Sequence, residues 1–379
     1  MKQYIPGVSM IAYMSNLVKL HGGINLAQGV PGFDPPEKLV TLLKETINKP
    51  LHQYAPGDGN PRLMDAVIGL YKNEISLSRK NILITQGATE AITLVYTWIN
   101  KKFGPDIAVM AMDPLYESFT QLPDIFNHQL ITASFNKRGE INWDETEQKL
   151  QQSPVRLFFL NSPGNPWGRV WSREEVKKLI TLAEQHDFYI LSDSVYSDLY
   201  FNNEPPYVPV QDIHRRVFVV NSFSKMLSIT GWRIGFLIAD PEPCEEIKRI
   251  HDYTGLCANS FIQEAVAAYL LENDNGRIYR KHLRKQMKKS CDFLSKSLNE
   301  IGFGFVPPEA GYFIWANLPQ PLTDGFHFAI DLYESEKVAV VPGIHFSPNA
   351  TEIVRFNFAR PLEELKVASE RIKNYVMHQ

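Results

Sequence analysis

The chain has 379 residues, 44% of them hydrophobic, enough to bury one large core or two moderate ones. Its formal net charge of −3 gives no reason to expect nucleic acid or an anionic membrane as the main partner. Three widely spaced cysteines, Cys244, Cys257 and Cys291, suit reduced thiols in a cytoplasmic protein, and no apolar run has signal-peptide or membrane-spanning length.

Short β-rich apolar runs alternate with helical patterns between residues 46 and 275. Strands are predicted at 82–85, 107–111, 130–133, 157–160, 189–192, 217–220 and 234–238. Several are apolar on both faces, as when helices cover both sides of a largely parallel sheet. Helices are predicted at 90–101 and 173–186, the second opened by a Ser172–Glu175 capping box. From residue 277 the pattern changes: a long polar helix over 277–299, then strands at 303–306, 312–317, 338–341 and 353–358. The fold class is therefore α/β: a large domain with a mostly parallel seven-stranded sheet, plus a smaller α+β domain. The basic run 280–289 reads as the solvated face of its helix, because no aromatics are interleaved.

The chemistry sits where predicted strands end, the place at which open α/β sheets bind ligands. After 82–85 come Gln86-Gly87-Ala88-Thr89, small residues leading into a helix whose N–H groups and dipole suit a phosphate; an ordinary strand-to-helix turn would look the same. No P-loop or Rossmann glycine fingerprint follows a strand. After 157–160, prolines and glycines fix a loop carrying Asn165. After 189–192 comes Asp193, costly to bury unpaired and so expected to face a cation or strong donor, unless it only caps the next helix. After 217–220 comes Ser222-Phe223-Ser224-Lys225, closed by Gly231-Trp232-Arg233. Lys225 alone would read as a solvated charge. Four strands in order ending in four ligand-like loops make coincidence a poor explanation, and an amine, hydroxyls and a guanidinium together meet the needs of pyridoxal phosphate. The ten histidines include no pair at helical metal-ligand spacing, so no metal is expected. His345 reads as a loop histidine that could line a substrate mouth, and Tyr312 and Phe313 as core.

At this point the chain resembles the fold type I pyridoxal-phosphate aminotransferases, the aspartate aminotransferase superfamily. It is most similar to the branch of kynurenine, glutamine and methionine aminotransferases. The resemblance rests on Asn25-Leu26-Ala27-Gln28-Gly29, His52-Gln53-Tyr54, Asp113-Pro114-Leu115-Tyr116-Glu117, Asn165-Pro166-Trp167-Gly168, Asp193 to Tyr196, Ser222 to Arg233, 339–343 and 355–359. It implies a small domain built from both chain ends, with residues 1–45 and 276–379 flanking a cofactor-binding domain at 46–275.

The resemblance also implies roles. Lys225 matches the lysine that forms the Schiff base with the cofactor (the internal aldimine) and then shuttles the substrate proton. Asp193 matches the partner of the pyridinium nitrogen, and Asn165 and Tyr196 match donors to the ring oxygen. Tyr116 matches the stacking aromatic; Ala88, Thr89, Ser222 and Arg233 match the phosphate cup. Tyr54 matches a tyrosine that reaches the neighbouring subunit's cofactor, which implies a homodimer with shared active sites. Arg355 matches the grip on the substrate α-carboxylate, and Gly29 the segment that closes over the substrate. Trp167, Ser194 and Phe261 depart from the branch pattern, Phe261 in a loop that the resemblance puts at the border of the partner subunit's substrate pocket.

The expectation is a ping-pong aminotransferase that moves the amino group of a neutral L-amino acid, such as methionine, glutamine or an aromatic one, to a 2-oxo acid. The alternative is a C–S β-lyase acting on cysteine conjugates or cystathionine with the same constellation. A regulator of another class would carry an N-terminal DNA-binding domain, for which Gly29 lies too near the start.

Overall fold

The computed structural model describes residues 3–5, 7–136 and 139–379. Its large sheet has seven strands in the order β2-β8-β7-β6-β5-β3-β4. These are β2 (Ile82–Thr85), β3 (Ala108–Asp113), β4 (Gln129–Ser134), β5 (Val155–Asn161), β6 (Tyr189–Asp193), β7 (Val217–Ser222) and β8 (Gly235–Ile238). Only β8 runs against its neighbours. The seven predicted strands are all present, within one or two residues at their ends.

Burial explains their two-sided apolar pattern. Phe158 and Leu160 of β5 pack into one cluster with Ile190 and Val219, while Leu157 and Phe159 pack into another with Leu191 and Phe218. Because alternate residues face opposite sides and both sides carry helices, each strand buries nearly every side chain. The Arg173–Gln185 helix opens on the expected capping box: the Glu175 amide donates to Ser172 Oγ at 3.1 Å, and the Ser172 amide donates to Glu175 Oε2 at 2.8 Å.

Two small sheets complete the structure. β1 (Ile24–Asn25) pairs in parallel with β10 (Val338–Ala339), so the early and late chain meet. β9 (Phe313–Asn317), β12 (Ile353–Asn357) and β11 (Val341–Pro342) form an antiparallel three-stranded sheet. The run predicted as one strand at 338–341 is thus two, since the chain passes from one sheet to the other at Val340. The strand predicted at 303–306 does not form. Gly302 ends the preceding helix at φ +100°, the Phe303 amide bonds back to Leu298, and Pro307 and Pro308 follow without N–H groups. Only Gly304 bridges to Asn317. The helix Arg277–Ile301 buries Leu283, Met287, Leu294 and Leu298 on one stripe. Among the described residues no helix is long and apolar enough to cross a membrane.

Candidate active site

The six like-directed strands end along one edge of the sheet, where reversed β8 begins. A cavity of about 190 Å³ opens there. Every site residue named from the sequence lines it except Tyr54, which is 82% exposed on the surface. Six more lining residues were not singled out: Ile11, Ile92, Glu117, Val195, Ser224 and Thr230. Glu117, Val195, Ser224 and Thr230 fall inside the quoted motifs, but Ile11 lies in a helix with no such signal.

One end of the cavity is set by two glycines. Gly87 takes φ +83° and caps the helix Ala88–Phe103. Gly235, which pairs with Thr85 in the register, packs against this turn; a Cβ there would come within 2.8 Å of the Gly87 carbonyl carbon and 2.9 Å of the Ala88 nitrogen. Only glycine lets β8 lie against this turn. The approach carries Arg233, itself in the left-handed region at φ +54°, to the helix N-terminus. Its Nη2 donates to the Gln86 carbonyl at 3.3 Å and its Nη1 to that of Thr230 at 3.1 Å. No carboxylate among the described residues pairs with this exposed guanidinium. Ser222 Oγ lies 2.8 Å from Ser224 Oγ on the adjoining wall. Helix N–H groups, two hydroxyls and a guanidinium bonded only to carbonyls among the described residues make an anion cradle. Glu90 of the same first turn does not line the cavity: it accepts the Gln86 amide at 2.6 Å and stands 3.5 Å from His251.

Lys225 lies in the middle, half-buried, its Nζ donating to the Gly29 carbonyl at 2.6 Å. Burial, reinforced by the positive charges of Arg233 and Arg355 and opposed by Asp193, brings its amine down to about 8. This is no solvated surface lysine. Asp193 is 4% exposed at the end of β6, and among the described residues its carboxylate receives one hydrogen bond, from the Val195 amide at 3.3 Å. Burial lifts its carboxyl to about 6, against the pull of that amide and of Lys225. Tyr196 is buried edge-on to Tyr312 at 5.2 Å, and Tyr116 forms part of the facing wall.

Arg355 dominates the other end. It is fully buried, sandwiched between Phe313 at 4.0 Å and Phe346 at 4.6 Å. Its Nη1 donates to Asn165 Oδ1 at 2.6 Å and its Nη2 to the Ala27 carbonyl, leaving Nε without a partner. Burial lowers it only to about 10, so it stays cationic. Asn165 thereby turns its oxygen to Arg355 and keeps its NH2 group available. Tyr312 and Phe313, read as core, are fully buried, yet the Phe313 ring also stacks on the Arg355 guanidinium.

A half-buried lysine, a partner-poor buried aspartate and an anion cradle in one cavity are joined by a match over most of the chain. Residues 21–372 match the family described as aminotransferase class I and II. The chain belongs to that family. The methionine aminotransferase of Escherichia coli is 28% identical, covering 97% of this chain and 96% of its own length. The probable aspartate aminotransferase of Methanocaldococcus jannaschii is also 28% identical, covering 92% of each. Among solved structures, the N-succinyldiaminopimelate aminotransferase of Mycobacterium tuberculosis superposes with TM-score 0.90 at 26% identity, over 97% of each chain. The aromatic aminotransferase of Pyrococcus horikoshii gives 0.87 at 26%, over 96% of this chain and 99% of that one. Aminotransferases of this family use pyridoxal phosphate. Equal identity to relatives named for methionine and for aspartate leaves the branch undistinguished.

Proposed function

We propose that this protein is a pyridoxal-phosphate-dependent aminotransferase that takes the amino group of a neutral L-amino acid to a 2-oxo acid by a ping-pong route. The observation that carries the reading is Lys225, an amine lowered to about 8 in a cavity shared with Asp193 and Arg355. The residues present fit the cofactor. Arg233, unpaired with any acid among the described residues, would hold the phosphate with Ser222 and the N–H groups of Ala88 and Thr89. Asp193, short of hydrogen-bond donors, would hold the ring nitrogen. The Asn165 amide and the Tyr196 hydroxyl would hold the ring oxygen, and Tyr116 would cover a ring face. When bound, the cofactor supplies the electron-withdrawing ring that acidifies the substrate Cα–H.

The chain supplies the rest. Arg355 binds the substrate α-carboxylate, its orphaned Nε adding a donor beside the two engaged Nη atoms. Lys225 Nζ takes the proton from the substrate Cα, and at about 8 a useful fraction of it is unprotonated near neutral pH. Gly29, whose carbonyl receives the Lys225 ammonium, belongs to the segment that covers the substrate. Ile11 and Val195 give the cavity apolar wall, and its three lining cations are already assigned, which favours a neutral side chain.

The reading extends to the assembly. Exposed Tyr54 fits a homodimer in which it reaches the other subunit's cofactor. The chain divides into residues 46–275 around the cofactor and a smaller domain of 1–45 with 276–379, and the protein works in the cytoplasm. The test is the absorbance of the purified protein while single amino acids are added without acceptor. L-methionine, L-glutamine or L-phenylalanine should bleach the cofactor band of the wild type, and a 2-oxo acid should restore it. Lys225→Ala should lower turnover by about 10⁴-fold while the protein stays folded. Full transamination by that variant sinks the assignment, and pyruvate, ammonia and a thiol released from cystathionine or a cysteine conjugate without any 2-oxo acid would move it to the β-lyase.

A further inference from the structure

Three segments distant in sequence meet on one carboxylate oxygen at the cavity mouth. The Ser9 hydroxyl donates to Glu117 Oε2 at 2.7 Å, and His345 Nε2 lies 3.0 Å from the same oxygen. Glu117 lines the cavity beside Ile11, and His345 is buried with a side chain 6% exposed. Burial pushes the Glu117 carboxyl upward, but the bonds from His345 and Ser9 outweigh it and hold the group below its usual range.

The two sides of this junction are tied unequally. The loop carrying His345 is also sewn to the Asp113–Glu117 segment by Ser347 Oγ donating to Asp113 Oδ2 at 2.7 Å and by the Leu115 amide donating to Phe346 at 3.0 Å. By contrast, the helix Met10–His21, which buries Met10 and Met14 beside Trp315 and Phe346, reaches Glu117 through the hydrogen bond from Ser9. Ser9 is that helix's N-cap, its Oγ accepting the Ala12 amide at 3.2 Å, so the same hydroxyl sets both the helix start and its position. Ile11, two residues on, is thereby fixed as cavity wall.

We propose that Glu117 is a positioning residue that moors the N-terminal helix over the substrate mouth, with His345 orienting its carboxylate. The side chain of the amino acid then meets Ile11 in a fixed place, and the lid stays down while Lys225 works. The kinetic part rests on the aminotransferase reading; the lid part does not.

Amide hydrogen exchange of residues 10–18, measured on cofactor-free and cofactor-loaded protein, tests the mooring without any turnover. Glu117→Ala should quicken exchange there by about tenfold, while the Arg277–Ile301 helix keeps its wild-type rates. Glu117→Gln, whose amide oxygen still accepts from Ser9, should stand nearer the wild type. Ser9→Gly removes the donor but leaves an acceptable N-cap, so it reports the mooring even where Glu117→Ala fails to fold. With L-methionine, both disruptive variants should raise KM by about tenfold and change kcat less. Wild-type exchange over 10–18 in Ser9→Gly and Glu117→Ala overturns the mooring. Quickened exchange with an unchanged KM overturns its role at the substrate mouth. A wild-type protein that neither captures the cofactor nor transaminates fails the functional reading and leaves the exchange result standing.

Discussion

At the Arg233 end of the cavity the walls come from adjoining strands of one sheet: the turn after β2, the end of β7 and the start of β8. At the Arg355 end they come from residues 11, 29, 117 and 355, carried by a helix, the segment after β1, the start of the helix Glu117–Ile125 and a strand of a separate small sheet. The first end is fixed by local rules, since a strand that stops beside a glycine turn exposes helix N–H groups however the rest of the chain packs. The second exists only when two sheets and the N-terminal helix are in register with one another. The Arg233 end should therefore behave as a rigid socket, and the Arg355 end as the part that can open and discriminate.

Changes at Arg355 should separate the two most strongly. Arg355→Ala removes a buried cation clamped between two rings and leaves Asn165 Oδ1 without its donor. The expected loss in kcat/KM for L-methionine is about 10²–10³-fold, on the scale of a charge-assisted bidentate contact. Retention of the cofactor, read by equilibrium dialysis and absorbance, should change little. A variant that loses the cofactor as readily as it loses the amino acid would break the division between the ends. Arg233→Ala is the converse and smaller: cofactor affinity should fall about tenfold to thirtyfold, with KM for the amino acid on the loaded enzyme nearly preserved.

This contrast also explains what could be read from the sequence. Lys225, Asp193, Asn165 and the Gly87–Thr89 turn were legible because each follows an apolar strand buried on both faces, and strand ends announce themselves. Arg355 was reached through resemblance alone, since nothing in the pattern of β12 says that one of its residues crosses to the other sheet's edge. Ile11 was missed because an amphipathic helix gives no sign of which neighbour it covers. Glu117 was quoted in a motif, yet its partners Ser9 and His345 are separated from it by 108 and 228 positions. The strand expected at 303–306 failed for a local reason that was present in the sequence, two prolines after a glycine cap, but its apolar residues outweighed them.

The smallest effect probes the one group that belongs to both ends. On the proposed reading Lys225 reacts as the free amine, so in cofactor-free protein its reaction with added pyridoxal phosphate should rise with pH through about 8 and fall about tenfold per unit below it. Arg233 and Arg355 both lower that midpoint, because a nearby positive charge disfavours the ammonium, and Arg233 does so more than Arg355. Arg233→Ala and Arg355→Ala should each move the midpoint upward by less than about one unit, the first further than the second. Asp193→Asn, which removes the charge that favours the ammonium, should move it downward. Stopped-flow absorbance against pH gives all three midpoints. A shift from Arg355→Ala larger than that from Arg233→Ala would mean that the substrate end, and not the socket, sets the poise of the lysine.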